Sequence, residues 1–218
     1  MKKEKLNFHY KIAIGIIIIS VFGYFLVFTY NFFKGLSEES EFDENIFPVH
    51  EDTYITEEAP SVCWSWEDRL WISSNLNKRM YSNLKISNID KIPIVNFANL
   101  MIYVPEDCYS PSPFLWFYSE KDDWIEGVEF CSGSDTCIGT DVLFWGVKPG
   151  LDYEMGRMES LGMSGWYALD ITEKFKEEQS KNGIMTITIL QEHSIPGGVG
   201  CFYSSEGPEE YRPYVELG

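Results

Sequence analysis

The chain is poor in the groups on which most catalysis turns. Three histidines occur in 218 residues, His9, His50 and His193, and no Gly-x-Ser-x-Gly is present, so nothing marks a Ser-His-Asp nucleophile. Five cysteines (Cys63, Cys108, Cys131, Cys137 and Cys201) include no Cys-x-x-Cys pair, which removes the common metal and redox motifs. Basic charge is scarce: 17 Lys+Arg stand against 34 Asp+Glu, a balance that disfavours nucleic acid and anionic lipid as partners. Pro196-Gly-Gly-Val-Gly200 lies between two strand-like runs and reads as a turn, not a phosphate cradle. No repeat of 20–50 residues appears.

What the chain does have is one long uncharged run. Residues 12–33, IAIGIIIISVFGYFLVFTYNFF, lie between Lys11 and Lys34 and contain no charged residue or histidine. A 22-residue helix covers roughly 33 Å, matching a hydrocarbon core of about 30 Å. Lys2, Lys3, Lys5 and Lys11 precede it, and Glu38, Glu39, Glu41, Asp43 and Glu44 follow Lys34. That asymmetry predicts a single-pass protein of the cell membrane, with residues 1–11 cytoplasmic, 12–33 spanning and the C-terminal portion extracellular. The run is longer than a secretory apolar core and exits through Thr29-Tyr-Asn-Phe-Phe33, without a small-x-small site. An uncleaved anchor is therefore expected, not a signal peptide.

Residues 34–48 are acidic and aperiodic and read as a stalk, leaving 49–218 as one domain. Beyond residue 34 the chain holds 33 acidic and 12 basic residues, a formal charge of −21, in keeping with a soluble exported domain. Its aromatics and β-branched residues argue against a disordered acidic tail. Cys131 and Cys137 flank the loop Ser-Gly-Ser-Asp-Thr and are the expected disulfide, with an odd cysteine left over.

Short runs punctuated by turns predict strands at 52–56, 69–73, 80–86, 96–104, 114–118, 128–131, 142–147, 166–170, 184–190, 201–204 and 213–217. The phase is clearest in two of them. Ala98, Leu100, Ile102 and Val104 share one face, and Met185, Ile187 and Ile189 oppose Thr186 and Thr188. Residues 148–164 are expected to form a long loop. Thr172 is expected to cap one short helix, EKFKEEQSK, which Asn182-Gly183 ends. The pattern is that of an all-β, antiparallel β-sandwich with one short helix.

The order of segments resembles the DNRLRE domain, a jelly-roll module of secreted and cell-surface proteins related to carbohydrate-binding modules. The resemblance covers about residues 50–217. It rests on Asp52-Thr-Tyr-Ile55, Leu70-Trp-Ile72, Leu84-Lys-Ile86 with Ile92-Pro93, Ala98-Asn-Leu-Met-Ile-Tyr103, Trp124-Ile-Glu126, Trp166 through Asp170-Ile-Thr172, Ser204-Ser-Glu206 and Arg212-Pro-Tyr-Val215. Each element is short; their common order carries the match. Cys63-Trp-Ser-Trp66 departs from the family's usual Asn-x-Gly turn, and Ser87 stands near its usual strand Asp. The resemblance implies a jelly roll.

Sugar recognition needs exposed aromatic faces beside carboxylates or amides, since rings stack on the C–H faces of pyranoses. Trp64, Trp66, Trp71 and Tyr109 are the candidate ligand-binding residues, with Trp64 and Trp66 in a turn at the family's variable corner. Trp116, Trp124 and Trp166 are assigned to the core. Glu120, Asp122, Asp123 and Glu126 cluster around Trp124 but read as a solvated loop, not a catalytic pair. No cofactor is expected. Calcium is the ion expected if one binds, with Asp52, Asp135, Asp141 and Glu206 as candidate ligands. The expected role is a membrane-anchored, non-catalytic binding module for glycan or a cell-envelope partner. A structural subunit of a surface layer or filament is the first alternative, and a polysaccharide hydrolase or lyase the second.

Overall fold

The structure, a computed structural model, describes residues 45–59, 64, 67–75, 78–108, 110, 112–124, 148–192 and 199–218. The chain divides into two units, residues 1–43 and 44–218, and the description concerns the second. The run at 12–33 lies outside the described residues. Among those described, no helix is long and apolar enough to cross a membrane.

About half of the described residues lie in antiparallel strands, several of them with apolar and polar residues in alternation. They are β1 (Ile46–Pro48), β2 (Glu51–Thr56), β3 (Arg69–Asn75), β4 (Lys78–Ile86), β5 (Ala98–Val104) and β6 (Phe114–Ser119). β7 (Tyr153–Met158), β8 (Gly165–Asp170), α1 (Thr172–Gln179), β9 (Met185–Gln191), β10 (Val199–Tyr203) and β11 (Tyr214–Leu217) follow. β1, β11, β5 and β8 form a four-stranded sheet. The larger sheet runs β10, β3, β4, β9, β6, β7, with β2 also paired to β4. Met80 and Ser82 each have two partners, so β2 takes one edge of β4 while β3 and then β9 share the other.

One core lies between the sheets. Ala98, Leu100, Ile102 and Val104 of β5 meet Leu84 and Ile86 of β4 and Met185, Ile187 and Ile189 of β9, all buried. The expected phase of β5 and β9 is thus the observed one. Burial of such side chains contributes about 1.5–3 kcal/mol each, the dominant favourable term. Trp116 and Trp124 are buried as expected. Trp116 Nε1 donates to the carbonyl of Asp170 at 3.0 Å, tying β6 to the end of β8.

Three expectations are corrected. The supposed loop at 148–164 contains β7, an edge strand paired to β6 with a register shift at Trp116/Phe117. Its residues are half-exposed and do not alternate, so partner pairing and not its own pattern makes it a strand. A Cβ on Gly156 would stand 2.2 Å from Trp116 Cζ2, which explains the glycine: the indole occupies the space. The helix is present, but Ile171 takes the capping position and Thr172 makes no side-chain cap. Thr172 Oγ1 instead accepts from the Ala98 amide at 3.0 Å, and Asp170 Oδ1 accepts from the Thr172 amide at 2.9 Å. Residues 46–48, assigned to the stalk, pair with β11 and belong to the sheet.

A disulfide joins Cys108, after β5, to Cys201 on β10 across 93 residues, with Cα atoms 4.8 Å apart. Folding brings these two together where sequence proximity could not show it. Cys131 and Cys137, like the strands expected at 128–131 and 142–147, lie outside the described residues.

Candidate functional site

Strand alternation that buries one face of β5 must turn Asn99, Met101 and Tyr103 outward. Register then places three short rows on the outer face of the four-stranded sheet. Glu216, Asn99 and Asp170 stand side by side, then Tyr214, Met101 and Ala168, then Tyr103 and Trp166. The first row offers carboxylates and an amide; the others are apolar and aromatic.

Two further rings from outside this sheet, Tyr203 of β10 in the larger sheet and Tyr211 of the turn at 209–211, adjoin the last row. Tyr211 stacks on Tyr103 with centroids 4.2 Å apart, and Tyr203 lies 5.6 Å from Tyr211 and 6.0 Å from Tyr103. Trp166 meets Tyr103 at 5.4 Å and Tyr214 at 5.2 Å, nearly perpendicular to the first ring. Five aromatic side chains therefore form one connected group. The tyrosines are half-buried, largely by one another, while Trp166 is 39% exposed. That corrects its assignment to the core: Trp166 shares the outward phase of Ala168 and Asp170, whereas Leu169 turns inward.

Arg69 borders the group, its guanidinium 5.8 Å from the Tyr203 centroid, and donates to Asp107 Oδ2 at 2.7 Å. The guanidinium holds the Asp107 carboxyl below the usual carboxylate range. The assembly is an aromatic, acid-edged surface whose rings are stacked at one end and edge-on around Trp166. Deeper hollows lie elsewhere: one of about 490 Å³ beside Ile92–Val95 and Leu217, and one of about 80 Å³ at the start of α1.

The residues singled out from sequence are dispersed. Trp64 stacks on Tyr54 at 5.5 Å, planes 8° apart, and packs with Trp71 against the core as a half-buried side chain. Neither belongs to the aromatic group on the outer face. Trp66 and Tyr109 lie outside the described residues, as do Asp135 and Asp141. Asp52 and Glu206 are brought together: Asp52 Oδ2 accepts from the Ser205 amide at 2.7 Å, and Glu206 Oε2 accepts from Ser205 Oγ at 2.9 Å. Burial pushes the Asp52 carboxyl up to about 7; the Ser205 amide pulls it down and the Glu206 charge adds to the rise. Among the described residues, no three His, Cys, Asp or Glu side chains converge as a metal cluster. Asp122 and Asn182 hydrogen-bond each other and Glu120 and Asp123 are exposed, while Glu126 lies outside the described residues.

Sequence reasoning missed Tyr103, Tyr203, Tyr211 and Tyr214. For Tyr103 the signal was available, since it sits off-phase from Leu100-x-Ile102-x-Val104. For Tyr203 and Tyr211 it was not, because the turn between them creates the adjacency. No protein-family model and no curated protein matches the chain.

Proposed function

We propose that the protein is a membrane-anchored, extracellular, non-catalytic binding module whose ligand is a glycan, bound on the outer face of the four-stranded sheet. The observation that carries the reading is the connected group Tyr103, Trp166, Tyr203, Tyr211 and Tyr214, part-exposed at the tyrosines and open to solvent at Trp166. Outward strand positions are ordinarily polar, and contiguous exposed aromatic surface marks interaction sites. Rings stack on pyranose C–H faces, and the adjoining row of Glu216, Asn99 and Asp170 supplies acceptors and a donor for hydroxyls.

Several features support the remainder of the proposal. The jelly-roll topology implied by the family resemblance is compatible with two antiparallel sheets over one core. The Cys108–Cys201 disulfide fits an oxidising exterior. The charge asymmetry about residues 12–33 supports the orientation.

The test is a glycan array on the full chain, followed by affinity electrophoresis in the polysaccharide that scores. Trp166→Ala and Tyr211→Ala are expected to weaken binding about tenfold or more, as truncation of a central aromatic anchor does. Trp64→Ala should bind as the parent does. An array without a bound sugar, or variants that bind unchanged, would overturn the reading.

A further inference from the structure

At one end of the four-stranded sheet an apolar loop stands in water. Ile92 and Val95 pack inward against the core, while Pro93 and Ile94 between them are exposed, Ile94 at 95%. Its backbone is held from several sides. Gln179 Nε2 of α1 donates to the Ile92 carbonyl at 3.1 Å and to the Pro93 carbonyl at 2.9 Å, and Lys176 Nζ donates to the Asn96 carbonyl at 2.7 Å. The Phe97 amide donates to the Gly218 carbonyl at 2.9 Å. The hollow of about 490 Å³ beside the loop is lined by buried Leu217 and by Asn45. Ile46, next to Asn45, and Phe97, whose ring lies against Gly218, add two more exposed apolar side chains. Single exposed apolar residues are ordinary, but several held together beside a hollow mark a contact surface.

We propose that this loop docks on a zwitterionic lipid surface, with Ile94 entering the headgroup boundary of the membrane in which residues 12–33 are anchored. The occupant follows from where the chain enters the domain. Asn45 lines the hollow, and its carbonyl accepts from the Leu217 amide at 2.8 Å. Only residues 34–44 separate it from Phe33, a length that reaches at most roughly 40 Å when fully extended. Lipid therefore stands at high effective concentration, and a contact too weak to hold a free domain suffices. Charge selects the lipid. Exposed Lys91 and Lys176 border the loop and suit headgroup phosphate, whereas the five acidic residues at 38–44 oppose a net-negative bilayer. Because the loop is already fixed by α1, docking orders little that was free. Ala98 pairs with Leu217 beside the hollow, while Tyr103 and Trp166 pair toward the other end of β5. A docked domain thus keeps its aromatic group clear of the bilayer.

The inference rests on the membrane-anchored part of the proposed function and not on the glycan. The full chain is reconstituted in phosphatidylcholine vesicles carrying a diazirine-tagged phosphatidylcholine and irradiated, and labelled peptides are mapped by mass spectrometry. Label should fall on residues 12–33 and on the peptide holding Ile94. It should spare the peptide holding Met163, which is 77% exposed just before β8, at the opposite end of the sheet. Ile94→Asp changes an exposed side chain and should cut the loop label by at least about tenfold while leaving that on 12–33 unchanged. Label on 12–33 with none on the loop, whether water or protein fills the hollow, would overturn the docking and leave the anchor standing. Equal label on the Met163 peptide, or loop label that survives Ile94→Asp, would overturn it as well. A chain that does not enter the vesicles would overturn the anchor reading and the docking with it.

Discussion

The two sheets present opposite outer faces. Along β2, β4 and β9 the outward positions mix polar Thr53, Asn83, Lys85, Thr186 and Thr188, all buried, with apolar Ile55, Tyr81 and Leu190, and Ile55 and Tyr81 pack with Trp124. Along β11, β5 and β8 they run from a polar row of Glu216, Asn99 and Asp170 to Tyr214, Met101, Ala168, Tyr103 and Trp166, and Trp166 is open to solvent. Trp124 makes the first face habitable: its Nε1 donates to Thr186 Oγ1 at 2.9 Å, and Lys85 Nζ lies 5.5 Å from its ring and donates to its carbonyl. Thr188 donates to Asn83 at 2.9 Å, and Lys85 pairs with Glu51 at 3.3 Å. Polar side chains tolerate burial when each finds a partner. Cross-strand aromatic pairs on the other face are worth only about 0.2–1 kcal/mol each. Folding alone gives that face little reason to gather five rings.

That contrast is most exposed to failure at its two tryptophans. Trp124→Ala should cost about 3–5 kcal/mol, since it opens a cavity, strips Thr186 of its donor and removes the ring beside Lys85. Trp166→Ala should cost less than about 1 kcal/mol. Urea unfolding of both variants checks this; equal losses would erase the distinction between the faces. Gly156→Ala comes next, at about 1–3 kcal/mol, because its new methyl displaces the Trp116 indole. The near-ultraviolet circular dichroism of Trp116 should change with it, and an unperturbed spectrum would place the indole elsewhere.

The smallest effect sits at the rim of the covered face. His50 Nδ1 accepts from the Ser87 amide at 3.2 Å. Partial burial lowers the imidazole pKa below its ordinary 6.5, Glu51 opposes the shift and Lys85 adds to it. The unfolded chain then binds the proton more readily, so stability is full above about pH 6.5 and falls as the pH drops below it. His50→Gln should flatten that part of the melting-temperature profile. A slope that survives the substitution would assign it to another group.

Some of the design was legible and some was not. The interior phases of β5 and β9 could be read from strict alternation of aliphatic with polar or larger residues. The phase of β8 was ambiguous, because Trp166-Tyr-Ala-Leu-Asp170 is apolar on both sides; Asp170 sharing the phase of Trp166 was the one clue. β7 has no alternation to read, and its pairing is imposed by β6. The Cys108–Cys201 bridge and the stacking of Tyr211 on Tyr103 join positions far apart in the chain, so only the folded topology brings them together. Asp52 and Glu206 are two of the four candidate oxygen donors read from the sequence, with Asp135 and Asp141; their common hold on Ser205 is a product of the closing turn.

Hydroxyl-radical footprinting of the full chain, with and without the polysaccharide it retains, tests the account most directly. Protection should fall on Trp166, Tyr211 and Tyr214, while buried Trp124 stays unreactive in both states. Protection centred on Trp64 or Trp71, with Trp166 equally reactive throughout, would contradict it.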